Sequence, residues 1–224
     1  MRVLFFLILS ATASLAGSHS RMSLHDAAAN ADVKTINRLI KKKHYLVDGR
    51  DNLDNTPLHY LAGQSLHVDD NQLASAYIAL RFQHYAKVNA KNKFGQTPLM
   101  TAVIYENLRV IQIILENDDL FLDADINATD LQGKSALHLA VFSNNLNIAK
   151  ILTQYGADPH LKDKNDCSPL YYAGFLGRNE MVEHMVKEMK VADEKKTEEQ
   201  IELKAPTSSS SKRATKHRRS RAGK

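Results

Sequence analysis

Thr56-Pro57-Leu58-His59 decides the fold, because variants of it recur along the chain. Aligned on the leucine, they are Ser23-Leu24-His25, Thr97-Pro98-Leu99-Met100, Ser135-Ala136-Leu137-His138 and Ser168-Pro169-Leu170-Tyr171. Successive leucines stand 34, 41, 38 and 33 residues apart. Each tetrapeptide is a helix start: Ser or Thr accepts a bond from a free backbone N–H, and proline at the first helical position loses no hydrogen bond. Small residues follow at Ala27-Ala28, Ala102-Val103, Ala140-Val141 and Ala173-Gly174, which lets neighbouring helices pack closely. A second helix comes next, apolar at helical spacing, as in Val33, Ile36, Leu39 and Ile40, in Leu108, Ile111, Ile114 and Leu115, and in Leu146, Ile148, Ile151 and Leu152. Gly156 in Tyr155-Gly156-Ala157-Asp158 is placed to end one such helix with a left-handed residue. Asp130-Leu131-Gln132-Gly133 and Lys93-Phe94-Gly95 supply turns between units. No unit buries its own apolar face, so stacking has to make the core.

A period near 33 with this tetrapeptide resembles the ankyrin repeat. Five such units cover about residues 22 to 189, three quarters of the chain. The resemblance implies an all-α fold: an ankyrin-repeat solenoid of five helix-turn-helix units with short β-hairpin-like fingers. Their expected bounds are about 22–54, 55–95, 96–133, 134–166 and 167–190. The step of 41 places about eight extra residues around Ser65 to Gln72, between the two helices of the second unit. The step of 38 places about five around Asp118 to Asp123, before the next finger. Leu61 stands where the family has alanine, and Gly156 finds no counterpart at Tyr85-Ala86. The first and last units, the latter running into polar Lys187 to Lys190, look like caps.

Met1-Arg2, the apolar run Val3 to Leu9 and the small residues up to Ala16 describe a secretory signal peptide over 1–16. No apolar run of about 20 residues remains for a membrane-spanning helix in the mature chain. At the other end, residues 191–224 read as a disordered acidic-then-basic tail, with room for some helix near its start. Lys212, Arg213, Lys216, Arg218, Arg219, Arg221 and Lys224 put +7 into the last thirteen residues, so residues 1–211 carry a formal −2 against the chain's +5. The basic character therefore belongs to the tail. It is open to three readings: a solvated extension, a nuclear-import or targeting signal, or an electrostatic nucleic-acid arm without stacking aromatics.

The chain shows no glycine-rich phosphate loop, zinc-protease helix motif or serine-hydrolase elbow, so it reads as no enzyme. No cofactor and no metal are expected. Ten histidines invite a metal reading, but His59 and His138 occupy the repeat's own histidine position, where by resemblance the ring bonds backbone between units. His25 aligns with them, and His184 on the last outer helix reads as solvated. Cys167, the sole cysteine, excludes an internal disulfide and reads as an incidental exposed thiol. Asn127-Ala128-Thr129 matches a glycosylation sequon. Asn127 and Asn89 also fall where the family has the asparagine of its hairpin, a position open to hydroxylation in ankyrin proteins.

Ankyrin domains bind other proteins through finger tips and the first-helix surface. By resemblance, the variable binding positions are Leu53 and Asn55 in the first finger, and Lys93, Phe94, Gln96, Ile104 and Tyr105 in the next unit. They continue with Leu131, Gln132, Lys134, Phe142 and Ser143, and end with Lys164, Asn165, Phe175 and Leu176. Leu53, Phe94 and Leu131 fall at successive tips; Ile104, Tyr105, Phe142 and Phe175 fall on the concave side or pack sideways between repeats. The expected role is a monomeric, non-enzymatic scaffold that binds another protein. A signal-like start, divergent repeats and a glutamate-rich then basic end resemble exported ankyrin proteins of host-associated bacteria. The implied location is secreted, or the interior of a host cell after export. The alternative is a nuclear-directed or nucleic-acid-binding protein working through its tail.

Overall fold

The computed structural model describes residues 23–43, 47–63, 68–83, 85–116 and 124–204. The expected signal peptide, the surplus at Asp118 to Asp123 and the basic run at 212–224 lie outside the described residues. The described residues fall into two units that divide after Met185.

Each capping tetrapeptide opens the first helix of a pair. The pairs among the described residues are α1 (Leu24–Ala29) with α2 (Val33–Lys43), α3 (Pro57–Ala62) with α4 (Asp70–Ile78), and α5 (Pro98–Ile104) with α6 (Leu108–Glu116). They continue with α7 (Ala136–Ser143) and α8 (Leu146–Gln154), then α9 (Pro169–Phe175) and α10 (Asn179–Lys204). This is an all-α ankyrin-repeat solenoid. The fingers are turns rather than β ladders: the described residues hold no strand, and Thr129 pairs with Ser135 as an isolated antiparallel bridge.

The first helices α1, α3, α5, α7 and α9 touch in that order and form one layer. Fully buried Ala27, Ala62, Ala102, Ala140 and Ala173 line it, so backbones approach closely and this becomes the inner layer. Between the inner layer and the second helices runs the core, which includes Ile36, Leu58, Leu99, Ile111, Leu137, Ile148 and Leu152. Leu61, where the family has alanine, is fully buried as well.

Histidines tie unit to unit. His59 Nε2–H donates to the Gln96 carbonyl at 2.9 Å, while Nδ1 accepts from the Thr56 N–H at 3.1 Å and the Thr56 hydroxyl at 2.9 Å. His138 repeats the pattern with Cys167 O at 3.1 Å and with the Ser135 N–H and hydroxyl, each at 3.0 Å. Each ring is thus neutral and fully committed. Burial pushes His59 down to about 4 and His138 in the same direction.

Several expectations need correction. Seven residues (63–69) part α3 from α4 where three (105–107) part α5 from α6, and α4 runs on through a π-helical turn, Ala79–Gln83. The second unit's surplus is therefore split between the interhelix segment and the helix itself, instead of sitting wholly around Ser65 to Gln72. A π turn takes up extra residues without breaking the helix. His184 is half-buried and not free in solvent: its ring nitrogen lies within hydrogen-bond distance of the Thr153 hydroxyl, at 2.8 Å. The last helix runs on to Lys204, in line with the room left for helix near the start of the tail.

Gly156 takes φ +89° as expected, and it does have a counterpart. Tyr85 occupies the left-handed region at φ +58°. The Ala86 N–H then closes on Leu80 O at 3.0 Å, as the Ala157 N–H closes on Leu152 O at 2.9 Å. A non-glycine residue there costs about 1–2 kcal/mol, and the Tyr85 side chain, 76% exposed, recovers little of it. Tyr85→Gly is expected to stabilise the fold by about 1 kcal/mol and raise Tm by about 2–4 °C. A thermal melt showing a lower Tm would refute it.

Candidate functional site

Four fingers share one construction, built on a residue the sequence reading passed over. The Asp51 carboxylate accepts the N–H groups of Leu53 and Asn55, both at 2.8 Å. Asn92 accepts those of Phe94 and Gln96, both at 3.0 Å. Asp130 holds Gln132 and Lys134 at 2.8 and 2.9 Å, and Asp163 holds Asn165 and Cys167 at 2.8 and 3.1 Å. The readable signal was an Asp or Asn four residues before each of Asn55, Gln96, Lys134 and Cys167. Tyr60 and Tyr172 brace two of these carboxylates from the inner helices, each O–H donating at 2.9 Å. Burial alone would push Asp163 up; bonds from Cys167, Asn165 and Tyr172 more than offset this and leave it below the usual carboxylate value.

Neighbouring tips are joined by backbone. Lys93 N–H donates to Leu53 O at 2.9 Å, Leu131 N–H to Phe94 O at 3.1 Å, and Lys164 N–H to Gln132 O at 3.0 Å. The close approach requires glycine behind two tips. A Cβ on Gly95, at φ +75°, would stand 2.7 Å from the Leu131 nitrogen; one on Gly133, at φ +79°, would stand 2.9 Å from that of Lys164. Cations tie the finger bases too: Arg50 donates to Lys91 O, and the Lys91 ammonium to Thr129 O, both at 2.7 Å.

Against this frame the expected binding positions separate into two groups. Lys93, Phe94, Leu131, Gln132, Lys164 and Asn165 are exposed along the finger row. Ile104 is exposed on α5, and Phe175 and Leu176 are exposed at the end of α9. Phe142 is exposed as well, by 38%, and the rest are half-buried and engaged within the protein. Leu53 supplies a tip carbonyl; Asn55 takes the Asn92 amide at 3.1 Å, which also reaches Gln96 at 3.4 Å. Tyr105 lies beside Gly63, whose Cβ would stand 3.5 Å from its ring, and burial pushes its hydroxyl up. Ser143 donates to Ala140 O at 3.1 Å. Phe142 meets the Tyr172 ring of the next unit edge-on at 4.7 Å, with the Lys134 ammonium 4.8 Å from its centroid. Sideways packing therefore accounts for Tyr105 and for part of Phe142, whose ring keeps an exposed side.

Both hairpin asparagines bridge units. Asn89 accepts the Asp125 N–H at 2.9 Å; Asn127 accepts that of Asp158 at 2.8 Å and donates to Gly156 O at 3.3 Å. The carboxamide of the sequon is thus spent inside the fold. Cys167 is half-buried, its thiol directed at Asn165 O at 3.4 Å. Among the described residues no group of three or more His, Cys, Asp or Glu side chains could hold a metal ion, and no helix is long and apolar enough to cross a membrane.

Comparison with known proteins agrees with this geometry. The family described as ankyrin repeats (3 copies) matches residues 24–127, 66–163 and 119–198. This chain belongs to the ankyrin-repeat family, whose repeats serve generally as scaffolds for protein–protein interaction. It is 31% identical over 91 residues to the human Notch-regulated ankyrin repeat-containing protein, covering 41% of this chain and 79% of that one. It is 26% identical over 164 residues to the probable 26S proteasome regulatory subunit p28 of Saccharomyces cerevisiae, covering 73% of this chain and 68% of that one. Human transient receptor potential cation channel subfamily A member 1 is 29% identical over 161 residues, 71% of this chain but 13% of the channel.

Proposed function

We propose that this chain is a non-enzymatic scaffold that captures another protein on its finger row and the open part of its inner helices. The observation that carries the reading is the neighbouring pair Phe94 and Leu131. Both side chains are exposed, by 41% and 56%, on adjacent tips joined by a backbone bond and flanked by Lys93 and Lys164. Two apolar groups held in the open on a preformed frame supply anchors with little ordering entropy to overcome. One relative supports the reading by its name, a probable regulatory subunit of the proteasome, which works as part of a protein assembly.

Export completes the proposal and rests on Arg2, the apolar Val3 to Leu9 and the small residues to Ala16. The charge of +7 within residues 212–224 supports a second reading, a polyanion-seeking arm acting beside the scaffold.

Affinity capture with the full chain tests the first reading. Phe94→Ala combined with Leu131→Ala is expected to weaken retention of the partner at least about tenfold, as loss of central anchors does. Its Tm should match that of the parent, since both side chains stand clear of the core. Equal retention by parent and variant would take the finger row out of consideration.

A further inference from the structure

The fingers carry a charge pattern that their own geometry imposes. Asp51, Asp130 and Asp163 are acidic, but each carboxylate is turned inward and holds two N–H groups of its own tip. What the tips offer outward is set by the residues that follow. The bonds between tips put those residues in one line. Counting the Asp or Asn as first, each bond joins the second residue of a tip to the third residue of the tip before it. Leu53, Lys93, Phe94, Leu131, Gln132 and Lys164 therefore succeed one another along the row.

The apolar pair Phe94 and Leu131 thus has a lysine on either side. Lys93 and Lys164 are both exposed, and among the described residues neither ammonium group meets a carboxylate. Lys134, at the end of the third tip, adds the same sign while its ammonium lies over the Phe142 ring. Two acids stand at the left-handed corners where the middle tips have Gly95 and Gly133: Asp54 in the first tip and Asp166 in the fourth. Asp166 is matched by Lys162 at 2.9 Å. Asp54 belongs to the first tip, outside the stretch from Lys93 to Lys164.

We propose that the stretch from Lys93 to Lys164 takes an acidic segment of a partner protein, built as carboxylate, apolar side chains, carboxylate. The assignment rests on the finger row being the capturing face and names the chemistry of what is captured there. Charge complementarity selects the occupant. A basic segment would set its cations against two unmatched lysines. A purely apolar one would strip water from both ammonium groups and return them no partner. Carboxylates on both sides of an apolar core satisfy lysines and apolar pair together. Exposed ion pairs are weak one by one, so Phe94 and Leu131 supply most of the affinity while the lysines fix sign and register. The charge of +7 at 212–224 attracts acidic chains of any pattern, and the test has to separate pattern from charge.

Fluorescence anisotropy on the full chain does so with labelled peptides: one with Leu-Phe between two runs of glutamate, one with Ser-Ser replacing Leu-Phe, and one with lysine replacing every glutamate. The first should bind at least about tenfold tighter than the second, as the loss of central anchors costs, and the third should not bind. Lys93→Glu combined with Lys164→Glu should weaken the first about tenfold at about 0.05 M salt, since two attractions become two repulsions. The loss should shrink at about 0.5 M, where screening is strong. The melt should not change, because both side chains are exposed. No binding of the first peptide, equal binding of both acidic peptides, or a charge reversal without effect overturns the proposal. If Phe94→Ala with Leu131→Ala still loses its partner in affinity capture, the finger row stands and only the acidic partner falls; if that variant too is without effect, the row itself falls.

Discussion

Acidifying a solution of this protein from pH 7 to pH 4 is expected to remove about 3 kcal/mol of unfolding free energy through His59 alone. The ring is 2% exposed, and burial holds it at about 4, against 6.5 for an unburied histidine. Between those values the unfolded chain binds a proton that the folded chain refuses, so stability falls as pH falls. The geometry supplies the reason. A proton can enter only at Nδ1, which accepts the Thr56 N–H and hydroxyl, while Nε2–H is committed to Gln96 O. Protonation would strip a buried N–H of its acceptor and place a charge between two units. His138, held the same way and lowered by burial, adds to the loss in the same direction. Urea unfolding of the parent and of His59→Gln at both pH values measures the effect. The parent should lose distinctly more than the variant between pH 6.5 and 4, and equal losses would assign acid sensitivity to other groups.

Asp130→Ala should cost about 3–4 kcal/mol, because two charge-assisted bonds are lost and two backbone N–H groups are left without an acceptor. Asp130 is 8% exposed, and its carboxylate accepts both N–H groups. Asp130→Asn should be close to neutral by comparison. The protein itself contains the precedent: Asn92 does the same work one finger earlier through its Oδ1, at 3.0 Å to both N–H groups. Thermal melts of the pair decide the matter, with a drop of about 6–16 °C expected for the alanine variant at roughly 2–4 °C per kcal/mol. Two equal drops would mean that the negative charge, and not the acceptor geometry, holds the finger.

The repeats were legible because their determinants are local. A capping Ser or Thr, proline behind it, paired small residues and a 3.6-residue apolar rhythm each act within one unit, so the helix pairs can be read off the chain, while the roles of His59 and His138 came from the family resemblance. Other features depend on two distant segments at once. Whether Tyr105 lay on the open face or packed sideways was left open, and its ring lies against Gly63 of the preceding unit. Phe142 is half claimed by Tyr172, which lies thirty residues on. His184 finds Thr153 across a helix boundary, a pairing that no spacing rule encodes. The finger carboxylates were visible but unread, since an aspartate in a turn usually passes for a solvated one. The π turn at Ala79–Gln83 had no sequence signal other than surplus length.

The ladder linking Leu53 to Lys93, Phe94 to Leu131 and Gln132 to Lys164 runs through main-chain atoms only. Its spacing is consequently indifferent to whichever side chains project from the tips. Evolution, or an engineer, can rewrite what the fingers recognise without redrawing how they stand. The same scaffold can serve unrelated targets, and new specificity at Phe94 or Leu131 need not be bought with lost stability.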